Sequence, residues 1–500
     1  MALSYFSEFL TSTLVLFVLV AFYIRSKRSN SPLLPIDWPI VGMLPSLLSN
    51  LQNFHEFVTF VLLSSGHSYK ASTISMSFFF TCDPANVRHI FTSNHANYPK
   101  GPEFAEIFDG VRGSFFTVDG ESWRLHRAKI QSILRSPQML SLTANYCRDK
   151  IQQDLVPFLT SMASAGTLFD MNDLMSRFAF DVTAMPIFSL DPGQLSYDMP
   201  PGDVSAAMDT VMEVAFFRHA IPASCWKLMR RLKAGPESKL VTAHMVLHKF
   251  ITEMIERSKI CCVDGQVDIL SHYLNDPYYN DDLLHAEIIM YMVAGRDTMS
   301  TTLSWLFYNL ARNPNVISII RNELSPIASS KASTIGNKGT HIIFNADESK
   351  AFVYLHATLF ENLRLYPPVP LERKTVASTD VMPSGHEVHD GEIVIISLYA
   401  MGRMKDVWGE DCLEFRPERW LSEDGVKLRY VPSHKLLAFN SGPRMCLGKD
   451  IAIMHMKTVV ATMLWNFDVE VLEGLAVEHK KSALLQMKKG LMVKVKERET

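Results

Sequence analysis

Cys446 lies in the string Phe439-Asn440-Ser441-Gly442-Pro443-Arg444-Met445-Cys446-Leu447-Gly448, just ahead of the helix-like run 450–456. A thiolate there sits near the positive end of a helix, which lowers its pKa and suits it to bind a metal. Gly442 and Gly448 let the backbone approach a flat ligand closely. Pro443 stiffens the loop, and Arg444 offers a permanent cation to a carboxylate. Taken alone, a single cysteine in a turn is ordinarily a buried structural residue. A second string, Ala294-Gly295-Arg296-Asp297-Thr298, falls inside the long apolar segment 282–312. Gly, Asp and Thr each cost stability in a buried helix. Either they kink it, through Gly and a back-bonding Thr, or a carboxyl and a hydroxyl move protons there. Trp123 and Arg127, four apart, share one helix face, and Glu361 and Arg364, three apart, face each other on another. By themselves these two pairs read as ordinary surface neighbours.

The elements that must position these residues follow from pattern. Segment 282–312 is apolar on most faces and should run through the core. Glu361 and Arg364 lie on a helix that must end before Pro367-Pro368. Leu371-Glu372-Arg373-Lys374 and Glu392–Ser397 read as strands. Thr73–Phe80 is strand-like, 140–275 reads as amphipathic helices with Pro/Gly breaks, and polar 328–350 reads as a surface loop. No linker interrupts the chain after residue 50, so one large domain fits its 500 residues, and 47% hydrophobic residues suffice for its core. The net charge of −3 carries no nucleic-acid signal. Seven scattered cysteines without a CxxC pair speak against a disulfide framework or a zinc site and for a reducing compartment.

At the N-terminus, Phe6 to Ile24 is nearly all apolar, and its nineteen residues just suffice to span a bilayer. Arg25, Lys27 and Arg28 follow, which places the next domain in the cytoplasm. A cleaved signal peptide would need a basic start and small residues at its end, and both are missing. Pro32, Pro35, Pro39 and Pro45 mark a stiff, non-helical spacer. The expected organisation is an anchor with basic flank at 1–29, a proline-rich hinge at 30–49 and a catalytic domain at 50–500.

The cysteine string resembles Phe-x-x-Gly-x-Arg-x-Cys-x-Gly, the haem loop of the cytochrome P-450 superfamily. Trp123–Arg127 resembles its Trp-x-x-x-Arg, 294–298 its oxygen-activating helix, and Glu361–Arg364 its Glu-x-x-Arg, with Arg419 of Phe415-Arg416-Pro417-Glu418-Arg419 as third member. The resemblance covers the anchor and residues 30–500. It implies a mainly α fold with small β-sheets, and haem iron held by the Cys446 thiolate, whose electron donation favours O–O cleavage. It further implies that Phe439, Arg444 and Gly448 flank the haem, and that Trp123 and Arg127 reach one propionate. Either Arg373 or Lys374 would reach the other. Gly295 would leave room for dioxygen, and Asp297 and Thr298 would relay protons to it. Glu361, Arg364 and Arg419 would lock the core. Val369, Leu371 and a turn at 483–487 would line the substrate pocket. Thr298 being intact argues against a peroxide isomerase or dehydratase; a haem sensor would need neither Asp297-Thr298 nor an anchor. Met299 departs from the second Thr of many relatives. No flavin or nicotinamide fingerprint occurs. The resemblance therefore implies NADPH electrons delivered by a membrane cytochrome P-450 reductase, docked on Arg and Lys of the Cys446 side, at the cytoplasmic face of the endoplasmic reticulum.

Asn97–Phe104, Val118–Trp123 and Gly402-Arg403-Met404 are similar to a plant branch holding the mid-chain alkane hydroxylases of cuticle wax and the noroxomaritidine synthases. The former need a long apolar channel; the latter couple the phenols of an O-methylnorbelladine-type alkaloid precursor in the para-para′ sense, without inserting oxygen. Phe108–Phe116 offers Arg112 and paired aromatics, which suit an aromatic substrate. Glu372 offers a carboxylate for a substrate amine, or a structural partner for Arg373. Pocket polarity favours phenol coupling, with hydroxylation of long-chain alkanes or fatty acids as the alternative.

Overall fold

The computed structural model describes residues 13–24, 34–38, 41–73, 76–196, 199–261, 268–335, 341–472 and 477–498. Among the described residues helices dominate, beside three small sheets. The largest sheet pairs Ser68–Thr73 and Met76–Thr81 antiparallel, then Ile393–Ser397 parallel to the second, then Leu371–Thr375 antiparallel at the far edge. In the second sheet Met492–Glu497 runs between Phe169–Asp170 and Phe467–Val471. The third is the short pair Asp380–Val381 and Glu387–Val388.

The axis of the fold is the expected core helix. It is α-helical over Asp281–Met292 and Thr298–Arg312, joined by a π-helical turn at Val293–Asp297. Asn280 caps its start, its side chain accepting from Leu283 N at 2.9 Å, and Asp281 and Asp282 favour the positive helix end. It stops at Asn313, ahead of Pro314. The kink reading and the reactive-site reading of 294–298 are therefore not alternatives: the wide turn is real, and π-turns within helices recur at functional sites. The Thr298 hydroxyl donates back to the Ala294 carbonyl at 2.7 Å across it. Leu303, Leu306 and Phe307 pack this helix into a core shared with Phe178, Leu355, Leu359 and Val460, all essentially without solvent contact.

Glu361 and Arg364 lie on Val353–Leu365, which ends before the prolines as expected. Asn362 of that helix bonds Thr302 O at 3.0 Å and Asn309 at 2.8 Å, which sets its register against the core helix. Two expectations were too coarse. Pro45 sits in the first turn of a helix, Leu44–Ser49, where its missing N–H costs nothing, so the spacer gives way to helix before residue 49. The expected loop at 328–350 is occupied up to residue 335 by the helix Pro314–Ile335, because Leu324 and Ala328 are buried against the core. Among the described residues no helix is long and apolar enough to cross a membrane. The span expected at 6–24 lies partly outside the described residues, as do the basic flank 25–29 and hinge residues 30–33; residues 13–24 are helical.

Candidate active site

A cavity of about 710 Å³ lies between the cysteine loop and the core helix, and its wall is overwhelmingly apolar. On one side the loop closes on itself through Cys446 N donating to Phe439 O at 2.8 Å. Helix Lys449–Asn466 follows, with Gly448 at its N-cap. Cys446, Phe439, Arg444 and Gly448 all face the cavity. The helix end does not lower the thiol as expected: burial pushes Cys446 up, against Gly448 N–H, Arg127 and Lys449, which favour the thiolate. A bound metal would reverse that balance outright.

The two glycines of the loop differ. Gly442 has φ +62°, and a Cβ there would overlap the Phe91 carbonyl, so packing against protein rather than ligand demands it. A Cβ at Gly448 would meet no atom of the described residues within 4 Å, which leaves its face open to a ligand. We expect Gly442→Ala to cost at least ~1–2 kcal/mol of stability from backbone strain alone. Gly448→Ala should leave the thermal midpoint of the haem-free protein in place and reduce haem retention. The absorbance ratio of haem to protein, read beside that midpoint, checks both.

Opposite the cysteine loop, Ala294, Gly295 and Thr298 are the open positions in an otherwise buried stretch of core helix, spaced to share one face. Gly295 also meets helix Met171–Phe188: a Cβ there would come within 2.5 Å of Thr183 Cγ2, so helix packing is reason enough for the glycine. Asp297 turns away from the cavity. It is fully buried and paired with Arg296, which also donates to Asp209 at 2.7 Å and to Ser176 Oγ at 3.0 Å. Burial pushes the Asp297 carboxyl up to about 6 despite the Arg296 cation, and its Oδ2 has no partner among the described residues.

One rim of the cavity is cationic. Arg127 donates to Met445 O at 2.7 Å, and Arg444 bonds Val118 O and Asp119 while its guanidinium covers the Trp123 ring at 4.5 Å. Arg373 borders the cavity; it pairs with Glu103 at 2.7 Å, yet its buried Nε–H has no acceptor among the described residues. Lys374 points to the other face of the strand, toward Glu372 at 2.9 Å and the Phe91 ring. Lys100 joins this rim and was not singled out from sequence, where it is one cation in a Pro/Gly loop with no spacing relation to Cys446. It is buried at the cavity edge, and its Nζ donates to Phe116 O at 2.7 Å. Burial drives its amine well below the usual range, opposed by Glu372.

Val369, Leu371, Ala483 and Leu484 line the cavity as expected, the C-terminal turn being held by Leu485 N donating to Pro368 O at 2.9 Å. Arg112 does not: it is exposed and lies outside the cavity wall, whereas Phe115 and Phe116 form part of it. Glu372 is taken by Lys374 rather than left for a ligand amine; burial would raise its carboxyl, but Lys374 and Lys100 hold it low.

A mainly helical body with a thiol on one wall of its cavity and a π-turn on the other is the arrangement expected of a haem-thiolate oxidoreductase. The sequence matches the Cytochrome P450 family model over residues 32–495. It is 40% identical to noroxomaritidine synthase 1 of Narcissus pseudonarcissus over 484 residues, 95% of this chain and 94% of that one. It is 38% identical to noroxomaritidine synthase 2 of the same plant over 490 residues, 96% and 95% of the two chains. It is 36% identical to the alkane hydroxylase MAH1 of Arabidopsis thaliana over 491 residues, 95% of each. The chain belongs to the cytochrome P450 family and is an oxidoreductase of the monooxygenase type. Its cofactor is haem held by a cysteine thiolate. The donor set fits that group: a soft sulfur open to the cavity, an uncovered glycine beside it, and a cationic rim with a spare N–H for carboxylates.

Proposed function

We propose that this P450 couples phenols oxidatively, closing an aryl–aryl bond within an O-methylnorbelladine-type substrate. The observation that carries this reading is an aromatic wall of Phe104, Phe108 and Phe116 beside His219 in the otherwise apolar cavity. A phenol gains from stacked rings and from a polar anchor, whereas an alkane uses neither. The similarity to the noroxomaritidine synthases points the same way.

Cys446 is the thiolate ligand in this reading. Arg127, Trp123, Arg444, Arg373 and Lys100 hold the propionates; Arg373 is preferred to Lys374 because it borders the cavity and keeps a free N–H. Bound haem supplies the activation of dioxygen, with electrons drawn from NADPH through a P450 reductase. Thr298 presents its hydroxyl oxygen to the cavity. Asp297, one residue behind and paired with Arg296, stands next to Thr298 in the proton relay, its carboxyl raised by burial.

We also place the protein at the endoplasmic reticulum, anchored through residues 1–29 with the body in the cytoplasm. The helical residues 13–24 support this: Leu16, Phe17, Leu19 and Phe22 lie in the open at 60–71% exposure, far more than a soluble helix tolerates in a row.

Hydroxylation of alkanes is the second reading. It draws on the leucines Leu44, Leu47, Leu48 and Leu51 that line the same cavity, and on the similarity to the alkane hydroxylase. Product mass decides. Microsomes carrying this chain and a plant reductase, given NADPH and an O-methylnorbelladine, should yield a product two hydrogens lighter. No such product, together with an alkane converted to a product one oxygen heavier, would replace the first reading by the second.

A further inference from the structure

We propose that His219 is the hydrogen-bond acceptor that selects and orients a phenolic hydroxyl in the cavity, a role that rests on the phenol-coupling reading and sharpens it. His219 stands near the end of helix Asp203–Ala220, and its ring borders the cavity. Its Nδ1 lies 2.7 Å from the Ala215 carbonyl. A carbonyl can only accept, so Nδ1 carries the proton. The ring is neutral: burial, reinforced by the Arg373 cation, pushes it down to about 4. A neutral imidazole protonated at Nδ1 has its lone pair at Nε2. Nε2 bonds no protein group among the described residues, and it is not sealed away from the cavity. The tautomer is thus set by the backbone, and the cavity receives an acceptor with no donor attached.

The surroundings narrow the ligand class. His219 meets Phe104 and Phe108 at 6.1 and 6.0 Å between ring centres, both near perpendicular. Phe104, Phe108 and Phe116 lie 4.9 to 5.3 Å from one another at mutual tilts. An aryl ring against that wall reaches the imidazole with a hydroxyl. An alkane has no donor for Nε2, and a carboxylate would face its lone pair. A hydroxyl-bearing aromatic satisfies both the wall and the acceptor, and a site built around a hydrogen bond rejects analogues that lack it.

The test compares an O-methylnorbelladine with its fully O-methylated ether, each titrated into the full-length haem-loaded protein and followed by the spin-state shift of the Soret band. Wild type should bind the phenol about ten- to a hundredfold more tightly than the ether, the range expected for one buried hydrogen bond. His219→Phe should lose that preference while its affinity for the ether holds, which also shows the pocket is intact. His219→Gln, whose amide oxygen restores an acceptor, should recover part of it. A His219→Phe protein that keeps the wild-type preference overturns the assignment, and so does a wild type with no preference. Should wild type form the product two hydrogens lighter while His219→Phe still prefers the phenol, only the role of His219 falls. Should wild type form no such product, the coupling reading falls and the His219 role with it.

Discussion

Cys446→Ser should abolish the thiolate-type Soret band of the reduced carbonyl complex, and turnover with it. Among the described cysteines Cys446 opens onto the cavity; Cys82, Cys147 and Cys412 are buried elsewhere, and Cys225 is exposed away from it. Serine is nearly isosteric, so the Phe439 carbonyl bond to the residue 446 amide and the helix after it should survive. A serine hydroxyl is far harder to deprotonate than a thiol and donates less electron density to iron. The variant should therefore take up haem poorly or bind it with an altered spectrum, while its circular dichroism stays that of the wild type. Retention of the thiolate-type band in Cys446→Ser would falsify the ligand assignment, whatever happened to activity.

The largest loss of stability is expected from Glu361→Ala. Glu361 is entirely buried. Its carboxylate accepts from Arg364 Nε at 2.8 Å and Nη2 at 2.7 Å, from the Arg416 amide at 2.9 Å and from Trp420 Nε1 at 2.9 Å, with Arg419 Nε at 3.4 Å. Arg364 in turn donates to the carbonyls of Gly402, Cys412 and Glu414. One carboxylate therefore organises the 402–420 segment against helix Val353–Leu365. Removing it leaves a buried guanidinium without its counter-charge, a cost of about 3–5 kcal/mol. Against a native stability of roughly 5–15 kcal/mol, that is enough to lower the yield of folded protein sharply. Glu361→Gln, which keeps an acceptor and the shape, should lose less. A midpoint of thermal unfolding for Glu361→Ala within a degree of wild type would remove the keystone role; equal losses for Ala and Gln would locate it in charge alone.

The same pair shows how far the sequence could be read. The spacing of Glu361 and Arg364 placed them on one helix face, but their burial depends on the 402–420 segment folding over them, and nothing in a local pattern reports that. Resemblance alone supplied Arg419. The core helix was legible from its apolar length, and its odd residues were noticed because Gly, Asp and Thr are costly there. Where those side chains point was not legible, because a π-turn shifts the facing of every residue beyond it. Thr298 consequently meets the cavity while Asp297 turns into a polar cluster with Arg296 and Asp209. Lys374 and Arg373 are adjacent, and the alternation of a strand let only one of them face the site, which a sequence without a pairing register cannot choose.

By itself, then, the sequence determined the family, the sulfur ligand candidate, the core helix and the helical end before Pro367, because these rest on residue types at short, regular spacing. Tertiary structure alone decided which cations form the rim, why Gly442 and Gly295 must lack a side chain, and that Lys100 and His219 belong to the cavity. Lys100 and His219 are 119 positions apart in sequence and hundreds from Cys446. They come together only because packing of the helices and the edge sheet closes a wall around one space, and no periodicity along the chain encodes a distance of that kind.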